Sequence, residues 1–184
     1  SLAALEAAPH GIDLGPLQPR LPELLRTPSG RVELAPPPLL AELQRARGEL
    51  DAPVPDLVIV GRREVRSNNS WMHNLPTLAK GPERCTLQMH PDDAARLGLA
   101  DGGRARVRGP GGELEVPVEL TDPLRPGVVS LPHGWGHDLP GSALSVAAQR
   151  PGVNLNALLD AAAIDPLSGT AVLSGVAVAV APAG

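Results

Sequence analysis

Residues 102–120 read GGRARVRGPGGELEVPVEL, and this stretch decides the architecture. Arg104, Arg106 and Arg108 alternate with Ala105 and Val107, while Leu114, Val116, Val118 and Leu120 alternate with polar or bending positions. Successive side chains on a strand point to opposite faces, so this alternation predicts two strands, each with one buried face. Gly109-Pro110-Gly111-Gly112 between them provides the hairpin turn.

The same reading extends in both directions. Upstream, PDDAARLGL predicts a short helix started by Pro91 and stopped at Gly98, with Asp92 and Asp93 at its positive end. CTLQMH, Cys85–His90, alternates like a strand, and the apolar run Leu57–Val60 is long enough for a buried one. Downstream, GVVSL, Gly127–Leu131, and the C-terminal GVAVAVA are further short strands. Several short strands with one or two short helices and many glycines point to a small, mostly β barrel.

Residues 1–55 differ. Their repeated prolines, from Pro9 to Pro55, forbid long elements and mark a Pro-rich arm or connector. TPSGRVEL predicts a turn and a short hairpin. PPPLLAELQRARGEL predicts one helix ending near Gly48, with Leu39, Leu40, Leu43 and Leu50 close to one face. The expected division is therefore 1–55 for the arm and 56–184 for the barrel.

Composition narrows the function. The 184 residues carry a formal net charge of -4, which argues against a strongly basic nucleic-acid binder. The single cysteine, Cys85, cannot alone form an internal disulfide or an iron–sulfur site, and it reads as a buried thiol. No apolar run reaches bilayer length, so no membrane insertion is expected. The start, SLAALEAAPHG, lacks Met and the pattern of a signal peptide. The expectation is a piece of a longer cytoplasmic protein, or a periplasmic one if the parent carries an export signal. Trp71 and Trp135 are the only aromatic residues of the Phe, Tyr and Trp class, so the core must be built from Leu, Val, Ile and Ala.

Four segments are polar beyond what a connecting loop requires. The loop Gly61–Asn74 gathers Arg62, Arg66, Asn68, Asn69, Ser70, Trp71, His73 and Asn74. Arginine offers a planar fork of donors suited to phosphate, asparagine a donor and an acceptor side by side, and Trp71 a flat face for stacking. Such a set suits a large, anionic, heterocyclic ligand, although an exposed loop of common polar residues accounts for the composition too. In LPHGWGHDLPGSA, Gly134 and Gly136 allow close backbone approach around His133 and Trp135. The four-residue spacing of His133 and His137 would hold a metal only on a helix, which the glycines oppose. Asn154 either caps a short helix or presents N–H groups to an anion. Asp165–Gly169 reads as a turn. No catalytic triad, P-loop or dinucleotide fingerprint is present.

The ordered set SNNSWMHN, HPDDAARLGLADGGRARVRGPGGELEVPVELTDPLRPGVVSLPHGWGH, VNLNALLD and IDPLSG resembles the C-terminal dinucleotide-binding domain of molybdopterin oxidoreductases. These are the enzymes of the dimethyl sulfoxide reductase, formate dehydrogenase and nitrate reductase superfamily. The resemblance covers roughly residues 55–180 and implies a double-psi β-barrel (ADC-like) that holds a molybdopterin guanine dinucleotide. It places Asn68, Ser70, Trp71 and His73 at the dinucleotide, His133, Gly134 and Trp135 on the pterin side, and Asn154 in hydrogen bonding to the cofactor.

It also implies that molybdenum or tungsten is held by another domain. No metal ligand or catalytic residue is assigned here, and the isolated chain is expected to lack both cofactor and activity. The implied partners are the remaining domains of the parent oxidoreductase and an iron–sulfur electron-transfer partner. The competing expectation is a stand-alone β-barrel interaction or assembly module that has lost cofactor binding.

Overall fold

The computed structural model describes residues 1–184, which divide into two compact units, Ser1–Glu49 and Leu50–Gly184. The first contains helix α1 (Leu2–Glu6), capped by the Ser1 hydroxyl, and helix α2 (Pro37–Glu49). Prolines at the start of α2 cost it nothing, because the first turn has no intrahelical use for their missing N–H. Leu39, Leu40 and Leu43 are each at least half exposed. The hairpin expected in TPSGRVEL is absent. The Gly30 N–H closes a turn onto the Thr27 carbonyl at 3.0 Å, but no strand follows. A lone two-stranded ribbon without an apolar face to cover it is marginal in water.

The second unit is built on β1 (Val58–Arg62), β2 (Leu87–Met89), β3 (Arg104–Arg108), β4 (Glu113–Leu120), β5 (Val128–Pro132), β6 (Val176–Ala177) and β7 (Ala179–Pro182). They form one mixed sheet in the order β6-β1-β5-β2-β4-β3-β7. β1 with β5 and β2 with β4 are parallel pairs, while the other neighbours are antiparallel. Only Val178 separates β6 from β7, yet these strands stand at opposite ends of the order. The C-terminal segment thus pairs with both edges and nearly closes the sheet into the double-psi barrel.

The 102–120 stretch folds as its pattern requires. Arg104 pairs with Pro117 and Arg108 with Glu113 across β3 and β4. Ala105, Val107, Val116 and Val118 enter the core, joined by Leu57, Ile59, Leu87, Met89, Val129, Leu131 and Leu158. The outward arginines meet Glu113 and Glu115 in exposed ion pairs, which add little stability.

A short helix, α3 (Pro76–Ala79), lies in the connection to β2, where the sequence shows no period. Helix α4 (Pro91–Leu97) is capped by the His90 imidazole and ends on Gly98 in the left-handed conformation, φ 70°. Its Asp93 is buried and accepts hydrogen bonds from the Gly127 N–H (2.7 Å) and the Arg96 guanidinium (3.1 Å). The start of β5 is thereby fixed to the helix. No helix is long and apolar enough to cross a membrane.

The β3–β4 turn packs beneath the 3-10 turn Leu155–Leu158. The Gly111 N–H donates to the Leu158 carbonyl at 3.0 Å, and a Cβ on Gly111 would lie 2.1 Å from the Leu159 carbonyl oxygen. Backbone cannot yield there as a flexible side chain would. Gly111→Ala is expected to cost about 1–3 kcal/mol, as overpacked sites do. Urea denaturation of the full chain checks this, and an unchanged midpoint would refute the close packing of the turn.

Candidate functional site

β1 and β5 run in parallel, with Arg62 beside Pro132, so both strands release their following loops at the same end of the barrel. The loop after β1 is a string of tight turns. N–H groups of Ser67, Trp71, Met72 and His73 bond to carbonyls of Glu64, Asn68, Ser67 and Ser70 at 3.0–3.3 Å. Ser67 is its buried anchor, donating its hydroxyl to the Glu64 carbonyl at 2.8 Å. Asn68 and Asn69 have φ of 42° and 64°, a region that asparagine tolerates better than most residues. This arrangement leaves Asn68, Asn69, Ser70 and Trp71 exposed, with 80% of Trp71 in solvent.

The loop after β5 meets it through backbone. At Gly134, φ is 92° and a Cβ would lie 2.2 Å from the Asn69 carbonyl oxygen. At Gly136, a Cβ would lie 2.7 Å from the Asn154 Cβ. The N–H groups of Gly136 and His137 both donate to the Pro151 carbonyl, at 2.7 and 3.1 Å. The Trp135 ring covers Gly152, beside Cys85. Three of the four polar segments singled out by sequence therefore converge on one face.

At their junction lies an imidazole pair. His73 Nδ1 and His137 Nε2 are 2.7 Å apart and share a hydrogen bond. The Trp135 ring lies 4.1 Å from the His73 ring, tilted by 46°. His73 Nε2 is buried without a hydrogen-bond partner. Beside the pair is a small pocket of about 40 Å³ lined by Glu64, Arg66, Ser67, His73, Arg84, Trp135 and Arg150 among others. That is room for water-sized groups and not for a heterocycle, so a large ligand would lie across the exposed loop surface.

The remaining candidates differ in how they are engaged. Arg66 is exposed and reaches the pocket lining. Asn74 uses its carbonyl oxygen to accept from the Val146 and Ala147 N–H groups at 2.9 and 3.2 Å, so it clamps the second loop. Asn154 uses its carbonyl oxygen as a cap, accepting from the Asn156 N–H at 3.1 Å. His133 is half-buried and its N–H donates to the Arg62 carbonyl at 3.2 Å. Arg62, read from sequence as a phosphate donor, spends its guanidinium on protein oxygens: Ser130 O, Arg84 O, Thr86 O and Thr86 Oγ1, at 3.0–3.4 Å.

Sequence reasoning passed over several participants. His137 stood in view beside His133, but nothing in spacing linked it to His73, 64 positions earlier. Arg84 and Arg150 join the pocket from segments that carry no motif. Cys85 is buried beside Val153, whose N–H donates to its sulfur at 3.3 Å, and burial pushes its pKa up to about 11. The Asp165–Gly169 segment is a turn closed by the Asp165 side chain and carbonyl. No group of three or more His, Cys, Asp or Glu is placed to hold a metal ion.

Residues 57–177 match the molydopterin dinucleotide binding domain family. Among curated proteins, the chain is similar to a tetrathionate reductase subunit of Salmonella typhimurium, 35% identical over 81 residues, covering 39% of this chain and 8% of that protein. It is 41% identical over 59 residues to the dimethyl sulfoxide/trimethylamine N-oxide reductase of Rhodobacter capsulatus, covering 32% of this chain and 7% of that one. The molybdopterin-containing subunit of the Chrysiogenes arsenatis arsenate respiratory reductase is 36% identical over 78 residues, 41% of this chain and 9% of that one. The chain thus spans less than a tenth of each of these relatives. Among solved structures, acetylene hydratase from Pelobacter acetylenicus shares the fold with a TM-score of 0.57 at 22% identity, covering 78% of this chain and 20% of that one.

The imidazole pair predicts a pH dependence. Burial lowers the pKa of His73, with His137 adding to the effect, while the Gly134 carbonyl and Glu64 oppose it. Burial lowers that of His137, opposed by the Gly134 carbonyl and Asp138. Both groups then bind protons more readily unfolded than folded. Their contribution to stability is complete above the ordinary histidine value of about 6.5 and is lost as pH falls through the lowered folded values. The urea midpoint is expected to drop on acidification from about pH 7.5 to about pH 5.5, and the doubly substituted His73→Gln, His137→Gln chain to show a shallower drop. An equal drop in both proteins would show that the pair does not titrate as described.

Proposed function

The chain belongs to the molydopterin dinucleotide binding domain family, and from that membership we propose that its two-loop face holds the dinucleotide end of a molybdopterin cofactor within a larger molybdenum or tungsten oxidoreductase. The observation that carries the assignment to this face is the convergence of the Arg62–Asn74, His133–His137 and Asn154 segments around Gly134 and Gly136.

The side chains suit the ligand. Trp71 offers an exposed ring for a guanine or pterin face. Asn68, Asn69 and Ser70 present exposed donors and acceptors beside it, and Arg66 an exposed guanidinium for pyrophosphate. The glycines at 134 and 136 keep the loop backbones close enough to act as one wall.

Electron transfer is the chemistry that the metal and pterin supply when bound, while these residues bind and orient. Residues outside this chain hold the metal and set the substrate. The relatives act on tetrathionate, dimethyl sulfoxide, trimethylamine N-oxide and arsenate by their names. For this chain we propose a parent enzyme of that general kind, in the cytoplasm or, if the parent carries an export signal, in the periplasm, completed by the parent's other domains and an iron–sulfur partner, with no activity in the isolated chain.

Calorimetric titration of the full chain with GDP, a probe for the guanosine and pyrophosphate part, tests the proposal. Binding is expected. Trp71→Ala is expected to weaken it about tenfold, equivalent to about 1.4 kcal/mol, and to leave stability within about 0.5 kcal/mol, as exposed positions do. If the folded chain binds neither GDP nor extracted molybdopterin guanine dinucleotide, the stand-alone interaction module is the better reading. If Trp71→Ala unfolds the chain, its stacking role is wrong.

A further inference from the structure

We infer that Arg62 is a positioning residue, which sets the two cofactor loops against each other from beneath and does not touch the ligand. Its value for the cofactor rests on the function proposed above, but its geometry stands independently.

Arg62 ends β1, at the point where the first loop departs, and its ladder partner Pro132 ends β5, where the second departs. From there its half-buried side chain runs across the neighbouring strands. Nη1 donates to the Ser130 carbonyl of β5 at 3.0 Å. Nη2 donates to the Thr86 carbonyl and hydroxyl, at 3.1 and 3.2 Å, just before β2, and more weakly to the Arg84 carbonyl at 3.4 Å. Thr86 Oγ1 passes the connection to Glu119 on β4, and Glu119 also accepts from Gln88 Nε2 at 2.9 Å. One guanidinium and one carboxylate therefore link β1, β5, β2 and β4 in their order across the sheet.

The arrangement explains why arginine stands here. A planar fork meets several oxygens at once, which a lysine ammonium on a flexible stem does less well. Burial lowers the pKa of Arg62, and the facing Glu119 and Glu64 carboxylates oppose that shift. Nη1 and Nη2 both donate to protein oxygens, so Arg62 is engaged by the barrel and not held out as an open fork for a phosphate. What it controls is the separation of the two loop roots, and so the approach of Gly134 to Asn69 and of His73 to His137.

The His73–His137 pair reports that separation. Arg62→Lys keeps the positive charge and loses the planar fork, so a shift in that variant reports displacement and not a missing charge. The experiment is an NMR titration of the full chain with 15N-labelled histidine, comparing Arg62→Met, Arg62→Lys and, as an exposed neighbour, Arg63→Met.

In Arg62→Met, shown to be folded by circular dichroism, the paired histidines are expected to titrate closer to the ordinary range. Arg62→Lys should give a smaller shift, and Arg63→Met none. Unmoved histidines in folded Arg62→Met overturn the inference. If that variant does not fold, unmoved histidines in Arg62→Lys overturn it instead. A loss of GDP affinity with unmoved histidines would make Arg62 a direct ligand contact and overturn it as well. Shifted histidines in a chain that never binds GDP would refute the proposed function and leave the positioning role standing.

Discussion

The closure of the sheet by its last strand pair is the constraint on which the rest of the barrel depends. Strands β1 to β5 alone would leave open edges at β1 and β3, and unpaired backbone groups there would invite both fraying and association. The segment from Gly175 to Ala183 removes both at once. Gly175 and Val178 donate to the carbonyls of Ile59 and Leu57 on one side, and Ala183 to that of Arg104 on the other. With β1 held from both sides, by β5 and β6, its end becomes a fixed platform for the loop that follows. A site built on loops gains its precision from such a platform.

The division of labour between residue types follows from that platform. The barrel core is aliphatic, made of Leu, Val, Ile, Ala and Met with one thiol. Both tryptophans stand in the loops, Trp135 folded back onto the core margin and Trp71 left in solvent. Both non-glycine residues with positive φ, Asn68 and Asn69, stand in the first of these loops, facing the positive-φ Gly134 of the second. Strained or glycine-dependent backbone is tolerated where surrounding structure determines it, and functional sites are where it concentrates. Here it brings two loop backbones closer than side chains would permit.

Much of the fold was legible because it rests on local rules. Alternation in Arg104–Leu120 gave both strands and their faces, and Pro91 with Gly98 bracketed α4 to the residue. The parts that failed depend on distant company. The TPSGRVEL hairpin had a turn but nothing to pack upon, and α3 formed in a stretch with no periodicity of its own. For the candidate site, sequence marked segments that the fold brings together, while the contacts made within them are visible only in the structure. Arg62 and Asn74 look alike as polar loop residues, yet each serves another stretch of the chain. The His73–His137 contact spans the barrel's connectivity, and no local signal encodes it.

Cys85 sits beneath this assembly, under Gly152 and the edge of Trp135, with its thiol held well above the ordinary range. Only a thiolate in contact with solvent reacts at an appreciable rate. Labelling of this single sulfur must therefore wait for the strap around Trp135 and Val153 to lift. The chain thus carries its own clock for loop breathing, and anything that settles onto the strap should be read as a slowing of that clock.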